Sequence, residues 1–108
     1  MAKLEKRVNG NFDQLLRKIE SGILNGSVSA SLEDKSDFYS SDARCSVRVF
    51  ERYSYAGNNR VSLSVTLFQN GGRIFCSAVT SGGSQALFFK INTWGEEAFL
   101  EKLQEVLS

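Results

Sequence analysis

The sequence contains no histidine and no proline, and each absence excludes a class of function or structure. Without histidine the chain lacks the most common general base and metal ligand, so Ser-His and Cys-His catalysis and most zinc chemistry are excluded. Without proline there is no proline-rich connector to divide the chain. Cysteine is also scarce: Cys45 and Cys76 form neither a C-x-x-C pair nor a disulfide framework.

Long apolar runs are absent as well. No stretch approaches the roughly 18 apolar residues of a membrane span, and the opening MAKLEKRVNG lacks the apolar run of a signal peptide. The 13 basic and 12 acidic side chains leave a net charge of +1, which gives no global attraction to nucleic acid or to a membrane. We therefore expect a cytoplasmic protein that has no membrane contact, no metal and no cofactor.

The 108 residues that remain to be explained have a globular composition, 42% hydrophobic and 23% charged, and predict a single domain over 1–108. AKLEKRV alternates weakly and predicts a short edge strand. Asn11 and Gln14 resemble a capping box that opens a helix, and Gly26 is a plausible end for it. One apolar stripe recurs along this helix at helical spacing: Phe12, Leu15, Leu16, Ile19 and Ile23.

Four segments alternate between apolar and polar residues and predict half-buried antiparallel strands: SVSASL, ARCSVRVFERY, RVSLSVTLF and RIFCSAV. We expect both cysteines to be buried thiols on the inner side of these strands. The same inner face should carry the apolar members of the alternation, namely Val28, Leu32, Val47, Val49, Leu63, Val65, Leu67 and Ile74.

Asn70-Gly71 is a strong hairpin signal and predicts a two-residue type I′ turn. Such a turn would place Leu67 opposite Ile74 and Val65 opposite Cys76. All these side chains would then lie on one face of the sheet, which is an independent check on the register.

A fifth strand, ALFFKI, precedes a C-terminal helix that opens with a capping box of Thr93 and Glu96. The buried stripe of that helix would be Trp94, Phe99, Leu103, Val106 and Leu107. The predicted fold is α+β: an antiparallel sheet of five or six strands in the order β-α-β-β-β-β-β-α, with an N-terminal and a C-terminal helix on one face.

Three stretches, NGSVSASLED, RCSVRVFERYS and TSGGSQALFFKINTWGEEAFL, resemble a family of small bacterial proteins known only as a domain of unknown function. The resemblance covers nearly the whole chain and implies a bacterial, cytoplasmic protein, but it carries over no catalytic or binding residue. The order of elements is also similar to a shortened helix-grip fold, whose members hold apolar ligands between sheet and C-terminal helix. A likeness of fold alone does not fix function.

Two small polar features have both a functional and a structural interpretation. The segment Ser81, Gly82, Gly83, Ser84 and Gln85 could cradle an anion through backbone N–H groups. Its spacing matches no phosphate-binding motif, and a strand rather than a helix follows, so a turn is favoured. Glu51 shares the face of Val49 and Tyr53, where a buried carboxylate is costly unless paired. An outward turn toward Arg60 or Lys90 is the favoured interpretation.

The other face of the sheet is predicted to carry basic and aromatic side chains among serines. Its candidate interface residues are Arg44, Arg48, Phe50, Phe68, Arg73 and Phe75. Such a surface suits a protein partner; it also resembles sheets that read single-stranded nucleic acid, although no motif of those readers occurs.

These observations predict a non-enzymatic interaction domain, most simply a homodimer through the outer sheet face. One alternative is a carrier of a small apolar ligand, with a pocket near Trp94 and the Gly82-Gly83 segment. The other is a single-stranded nucleic-acid-binding sheet, which the small net charge of +1 makes the weaker of the two. Serine hydrolysis is disfavoured because no base accompanies any serine.

Overall fold

The computed structural model describes residues 2–54, 59–82 and 99–107 of the chain. The described elements are β1 (Lys3–Val8), α1 (Phe12–Asn25), β2 (Ser31–Tyr39), β3 (Ala43–Ser54), β4 (Asn59–Asn70), β5 (Arg73–Gly82) and α2 (99–107). The strands form one antiparallel sheet in the order β1-β5-β4-β3-β2. The predicted α+β class is confirmed, and so is the N-terminal strand, which lies at the margin of the described sheet. The predicted ALFFKI strand and the start of the last helix lie outside the described residues.

Helix α1 begins and ends where the sequence predicts. The Asn11 side chain accepts a hydrogen bond from the backbone N–H of Gln14 at 3.0 Å, and the helix ends at Gly26. Its buried residues are Phe12, Leu15, Ile19 and Ile23. A separate glycine sets the distance to α2: a Cβ on Gly22 would lie 2.3 Å from Cγ2 of Val106. The two helices can approach this closely only because Gly22 has no side chain.

The strand predicted at SVSASL is displaced: it is present only from Ser31, and the prediction is wrong for residues 27–30. Residues 27–30 form a turn, in which the N–H of Ala30 donates to the carbonyl of Ser27 at 3.2 Å, and Val28 is fully exposed. Strand β2 starts at Ser31 and continues through polar residues to Tyr39, with a bulge between Leu32 and Asp34. Leu32 alone of this predicted set packs against the core, and it does so only in part.

The β4–β5 hairpin forms, but its predicted register is wrong by two residues. The turn residues are Gly71 and Gly72, which pairs Leu67 with Cys76. Because the shift is an even number, every side chain keeps its predicted face. Gly71 has φ +62° and Gly72 has no positive φ, which is the pattern of a type II′ turn rather than type I′.

Strand β3 is present, but it faces the opposite way from the prediction. Phe50 lies opposite Leu63 and Arg48 opposite Val65, so both point toward the helices, while Val47 and Val49 lie on the outer face. Phe50 is completely buried, and it fills the space that the two valines were expected to fill. The remaining core prediction is confirmed, because Leu63, Val65, Leu67 and Ile74 are all buried with the apolar residues of both helices.

Candidate interaction surface

The arginines at every fourth position of β3 point inward, and Arg48 is the most buried of them. Its side chain is 6% exposed; Nε donates to Glu20 of α1 at 2.7 Å, and Nη1 lies 3.0 Å from Asp37 of β2. Ser46 donates to the same Asp37 carboxylate at 2.6 Å. The hydrogen bond from Ser46 and the charge of Arg48 together hold the pKa of Asp37 below its ordinary value. The inward arginine is therefore neutralised by one acid on each side.

Arg44 is held in a similar way at the start of α1. Its two terminal nitrogens contact Asp13 at 2.9 and 3.2 Å, and its guanidinium lies 4.0 Å from the centre of the Phe12 ring and 4.8 Å from that of Tyr39. Hydrogen bonding from Arg44 holds the pKa of Asp13 below its usual range.

The spacing of these charges explains why both arginines find a partner on one helix. Asp13 and Glu20 are seven residues apart, or about 10 Å along a helix. Arg44 and Arg48 are four residues apart, or about 13 Å along a strand. The two repeats nearly match, so α1 can lie along β3 with an ion pair at each end.

Arg52 completes the inward series with a different contact. Its guanidinium lies 4.6 Å from the centre of the Phe99 ring of α2, and burial lowers the pKa of the arginine. The three arginines thus bind the helices to the sheet. The prediction that Arg44, Arg48 and Phe50 lie on the outer face is wrong, because a carboxylate-bearing helix and a buried phenylalanine site favour the inward orientation.

The outer face of the sheet is instead dominated by a line of side chains that crosses four strands. Direct cross-strand partners share a face, and the register places Phe38, Cys45, Phe68 and Phe75 side by side. We call these four residues the aromatic row. Phe38, Phe68 and Phe75 are 64%, 38% and 43% exposed. Phe68 and Phe75 therefore lie where the sequence predicts, with Arg73 exposed at the start of β5.

Two shallow grooves flank Phe68 along this row. The groove on the β5 side has a volume of about 290 Å³ and is bordered by Phe75, Thr66 and Arg7. The groove on the β2 side has a volume of about 200 Å³ and is bordered by Phe38 and Cys45. Phe68 thus lies between two depressions, and a surface of complementary shape can pack against it.

Two further rows that cross all five described strands lie beside the aromatic row on the outer face. The first contains Glu5, Ser77, Thr66, Val47 and Ser36, and the second contains Lys3, Val79, Ser64, Val49 and Asp34. Valines from β3 and β5 thus extend the apolar surface beyond the aromatic row. The small hydroxyl side chains between them leave room for another surface to come close.

The two cysteines have different environments. Cys76 is buried as predicted, and burial raises the pKa of its thiol to about 11. Cys45 is free and only partly buried, and it lies in the aromatic row. The prediction that both are core thiols is therefore wrong for Cys45, because β3 faces the opposite way from the prediction.

The described polar candidate residues lie in β3 and β5, where one outer-face row holds Glu51 and Ser81 on either side of Ser62. Glu51 is paired with Arg60, whose Nε lies 2.9 Å from the carboxylate, as the structural interpretation expects. Ser81 and Gly82 continue β5 opposite Ser62 and Val61, so this part of the predicted turn is strand. The other predicted members, Gly83, Ser84, Gln85 and Trp94, lie outside the described residues.

Within residues 2–54, 59–82 and 99–107, no three Cys, Asp or Glu side chains are arranged to hold a metal ion. Over the same ranges, neither helix is long and apolar enough to cross a bilayer. A depression of about 590 Å³ lies where the β2–β3 and β4–β5 turns meet, and polar residues such as Asp42 and Gln69 border it.

Two members of the aromatic row, Phe38 and Cys45, were not predicted to lie on the outer face. Phe38 was not recognised because β2 lacks apolar alternation, and the bulge after Leu32 interrupts what periodicity remains. The sequence did contain a signal for the orientation of β3. Arginines repeat at every fourth residue of that strand, and two acids lie seven residues apart on α1.

The fold and this surface define an α+β domain with two helices covering one sheet face and an apolar row on the other. The chain belongs to a family of unknown function (DUF6054), whose model matches residues 1–108. No curated protein and no solved structure matches the chain.

Proposed function

We propose that this domain acts by binding rather than by catalysis, and that it self-associates through the outer sheet face. The observation that carries the proposal is the aromatic row. Large apolar side chains on one contiguous surface usually mark a site of interaction. The valines beside the row and the hydroxyls between the strands add to a surface on which a second copy can pack.

The exposed area of the row sets the expected strength. Phe38, Phe68 and Phe75 are 64%, 38% and 43% exposed; at roughly 200 Å² per phenylalanine, this leaves about 300 Å² of apolar surface on each copy. Burying it on two copies would contribute roughly 15 kcal/mol. Association costs about 4–15 kcal/mol. We therefore expect a dimer of modest affinity, which is populated at micromolar concentrations.

The margins of the described sheet support association through the face rather than through strand addition. Strand β2 has a bulge and carries Glu33, Asp34, Lys35 and Asp37, and β1 carries Lys3, Glu5, Lys6 and Arg7. Charged side chains and bulges on outer strands oppose edge-to-edge pairing. The apolar face has no comparable protection.

The proposal is tested by substituting Phe75 with aspartate. Phe75→Asp should shift the protein to a folded monomer, because it introduces a charge into the centre of the apolar contact. Val28→Asp is the matched control, since Val28 is equally apolar, fully exposed and outside the sheet. Sedimentation velocity over about 10–500 µM would measure association, with circular dichroism to confirm folding. A wild-type protein that stays monomeric over this range would refute self-association.

The two alternative functions have less support. The described space between sheet and helices is filled by completely buried side chains such as Phe50, Leu63 and Leu103, and the predicted ligand contact Trp94 is not among the described residues. For nucleic acid, the three arginines of β3 point away from the outer face. That face keeps Arg7, Arg60 and Arg73, and Arg60 is paired with Glu51. Salt-dependent binding of a labelled single-stranded oligonucleotide would favour that function instead.

A further inference from the structure

The three outer-face rows that run from β1 to β2 end in different side chains on these two strands. On the β1 side they end in Lys3, Glu5 and Arg7. On the β2 side the corresponding ends are Asp34, Ser36 and Phe38. The lysine end of one row thus lies across the sheet from an aspartate, and the arginine end of another lies across from an exposed aromatic ring. This difference makes the face complementary to itself in one orientation.

We infer that two copies pack face to face about a two-fold axis. The axis lies between the two sheets and is parallel to β4, the middle one of the five described strands. This inference rests on the proposed self-association and specifies its geometry. Rotation about such an axis places β1 of one copy over β2 of the other and β4 over β4. Each row then faces the same row of the second copy, with the order of its residues reversed. The arrangement is isologous, as a two-fold interface requires.

The consequences for individual side chains follow from the register. Phe68 meets Phe68 of the second copy at the axis, and the two rings can pack as an aromatic pair. Phe75 covers Cys45. At the margins, Arg7 lies over Phe38, a cation–π arrangement, and Lys3 lies opposite Asp34. The favourable marginal contacts each occur twice, once on either side of the axis.

A two-fold axis perpendicular to the strands would give a different result. Each strand would then lie over its own counterpart in the reverse direction, so β1 would cover β1. Lys3 of one copy would lie opposite Arg7 of the other, and like charges at short range are unfavourable. The charges therefore select the axis.

Lys3 is accessible for such a contact although it already has a neighbour. Its Nζ lies 3.2 Å from the Glu5 carboxylate, and both side chains are 64% exposed. An exposed pair of this kind contributes little to stability. Asp34 is also exposed, and its Oδ1 accepts only a local hydrogen bond from the N–H of Lys35. Neither side chain must leave a buried partner to meet the other.

The geometry is tested with the charge reversals Lys3→Glu and Asp34→Lys on the full chain. Either variant alone should dimerise roughly 10-fold more weakly than wild type, because two attractive contacts become repulsive. An equimolar mixture of the two variants should associate as strongly as wild type. In the mixed dimer, one contact pairs Glu at position 3 with Lys at position 34, and the other contact is unchanged.

Lys6→Glu is the matched control, because Lys6 is exposed on the same strand with its side chain on the opposite face. It carries the same charge change and should leave association unchanged. Sedimentation equilibrium would give the dissociation constants. Recovery on mixing supports the inference. Single variants that dimerise like wild type, or a mixture as weak as its components, overturn this axis while self-association stands. A monomeric wild type overturns both.

Discussion

The buried arginine on β3 gives an asymmetric prediction about stability. Arg48 is 6% exposed, whereas its partners Glu20 and Asp37 are 30% and 35% exposed. Removing the arginine leaves two carboxylates that water can reach. Removing the carboxylates leaves a guanidinium that water cannot reach. The second change should therefore cost much more free energy of unfolding than the first.

The magnitudes follow from these burials. Arg48→Met keeps the aliphatic stem in place, and we expect it to lower the free energy of unfolding by about 1–2 kcal/mol. Replacing both acids, as Glu20→Gln with Asp37→Asn, leaves the buried charge unpaired and should cost about 3–5 kcal/mol. For a domain of this size, about 4 °C of melting temperature corresponds to each kcal/mol. The expected shifts are about 4–8 °C and 12–20 °C.

Urea denaturation followed by circular dichroism would measure both values, at low protein concentration so that association does not contribute. Arg17→Met is the control, because Arg17 is exposed on α1 and should change stability by less than about 0.5 kcal/mol. If Arg48→Met costs as much as the double substitution, the ion pairs do not account for the inward orientation of β3.

Acid titration supplies a second arm of the same test. The pKa of Asp37 is held below its ordinary 3.8, first by Ser46 and then by Arg48. A lowered pKa contributes stability that is present above the unfolded-state value and is lost as the pH falls through the folded-state value. The difference between wild type and Asp37→Asn should be full at pH 7 and should shrink below about pH 4. A difference that is independent of pH would contradict the charged contact.

Substitution of the two turn glycines tests the turn, and thiol labelling tests the environments of the two cysteines. Gly71→Val should destabilise the hairpin by about 1–2 kcal/mol, because valine is strained at positive φ. Gly72→Val should cost less, since both glycines have open space around them and only Gly71 has φ +62°; equal melting temperatures would argue against this turn. At a protein concentration low enough to keep the chain monomeric, a thiol reagent should label Cys45 in the native protein and Cys76 only after unfolding, because burial raises the Cys76 pKa to about 11. Equal labelling rates in mass spectra would contradict these placements.

The strength of each apolar pattern decided which parts of the fold were predictable. Helix α1 has a cap and an apolar stripe that agree with each other, and β4 alternates strictly over Val61, Leu63, Val65 and Leu67, so both were predicted correctly. Strand β2 is polar along most of its length because it lies at the margin of the described sheet. Its residues lack the alternation that burial imposes, so its position could not be read from the pattern.

The orientation of strand β3 was difficult to predict for a different reason, since both of its faces carry apolar side chains. One face offers Cys45, Val47 and Val49, and the other offers Phe50 among three arginines. Hydropathy alone favours burying the valines. The actual orientation depends on Asp13 and Glu20, which lie more than 25 residues earlier in the chain. A pattern within one strand contains no information about the charges on the helix that covers it.

The orientation of β3 also determines what kind of partner the outer face suits. With the arginines of β3 inward, Arg44 is paired with Asp13 and Arg48 with Glu20 and Asp37, so β3 adds no arginine to the outer face. The same orientation of β3 places two valines and Cys45 on the outer face beside Phe68. The surface therefore gains apolar area as it loses positive charge. Both changes weaken the argument for nucleic acid, whose binding depends on neutralising phosphates. They strengthen the argument for a flat, self-complementary contact between two copies of the sheet.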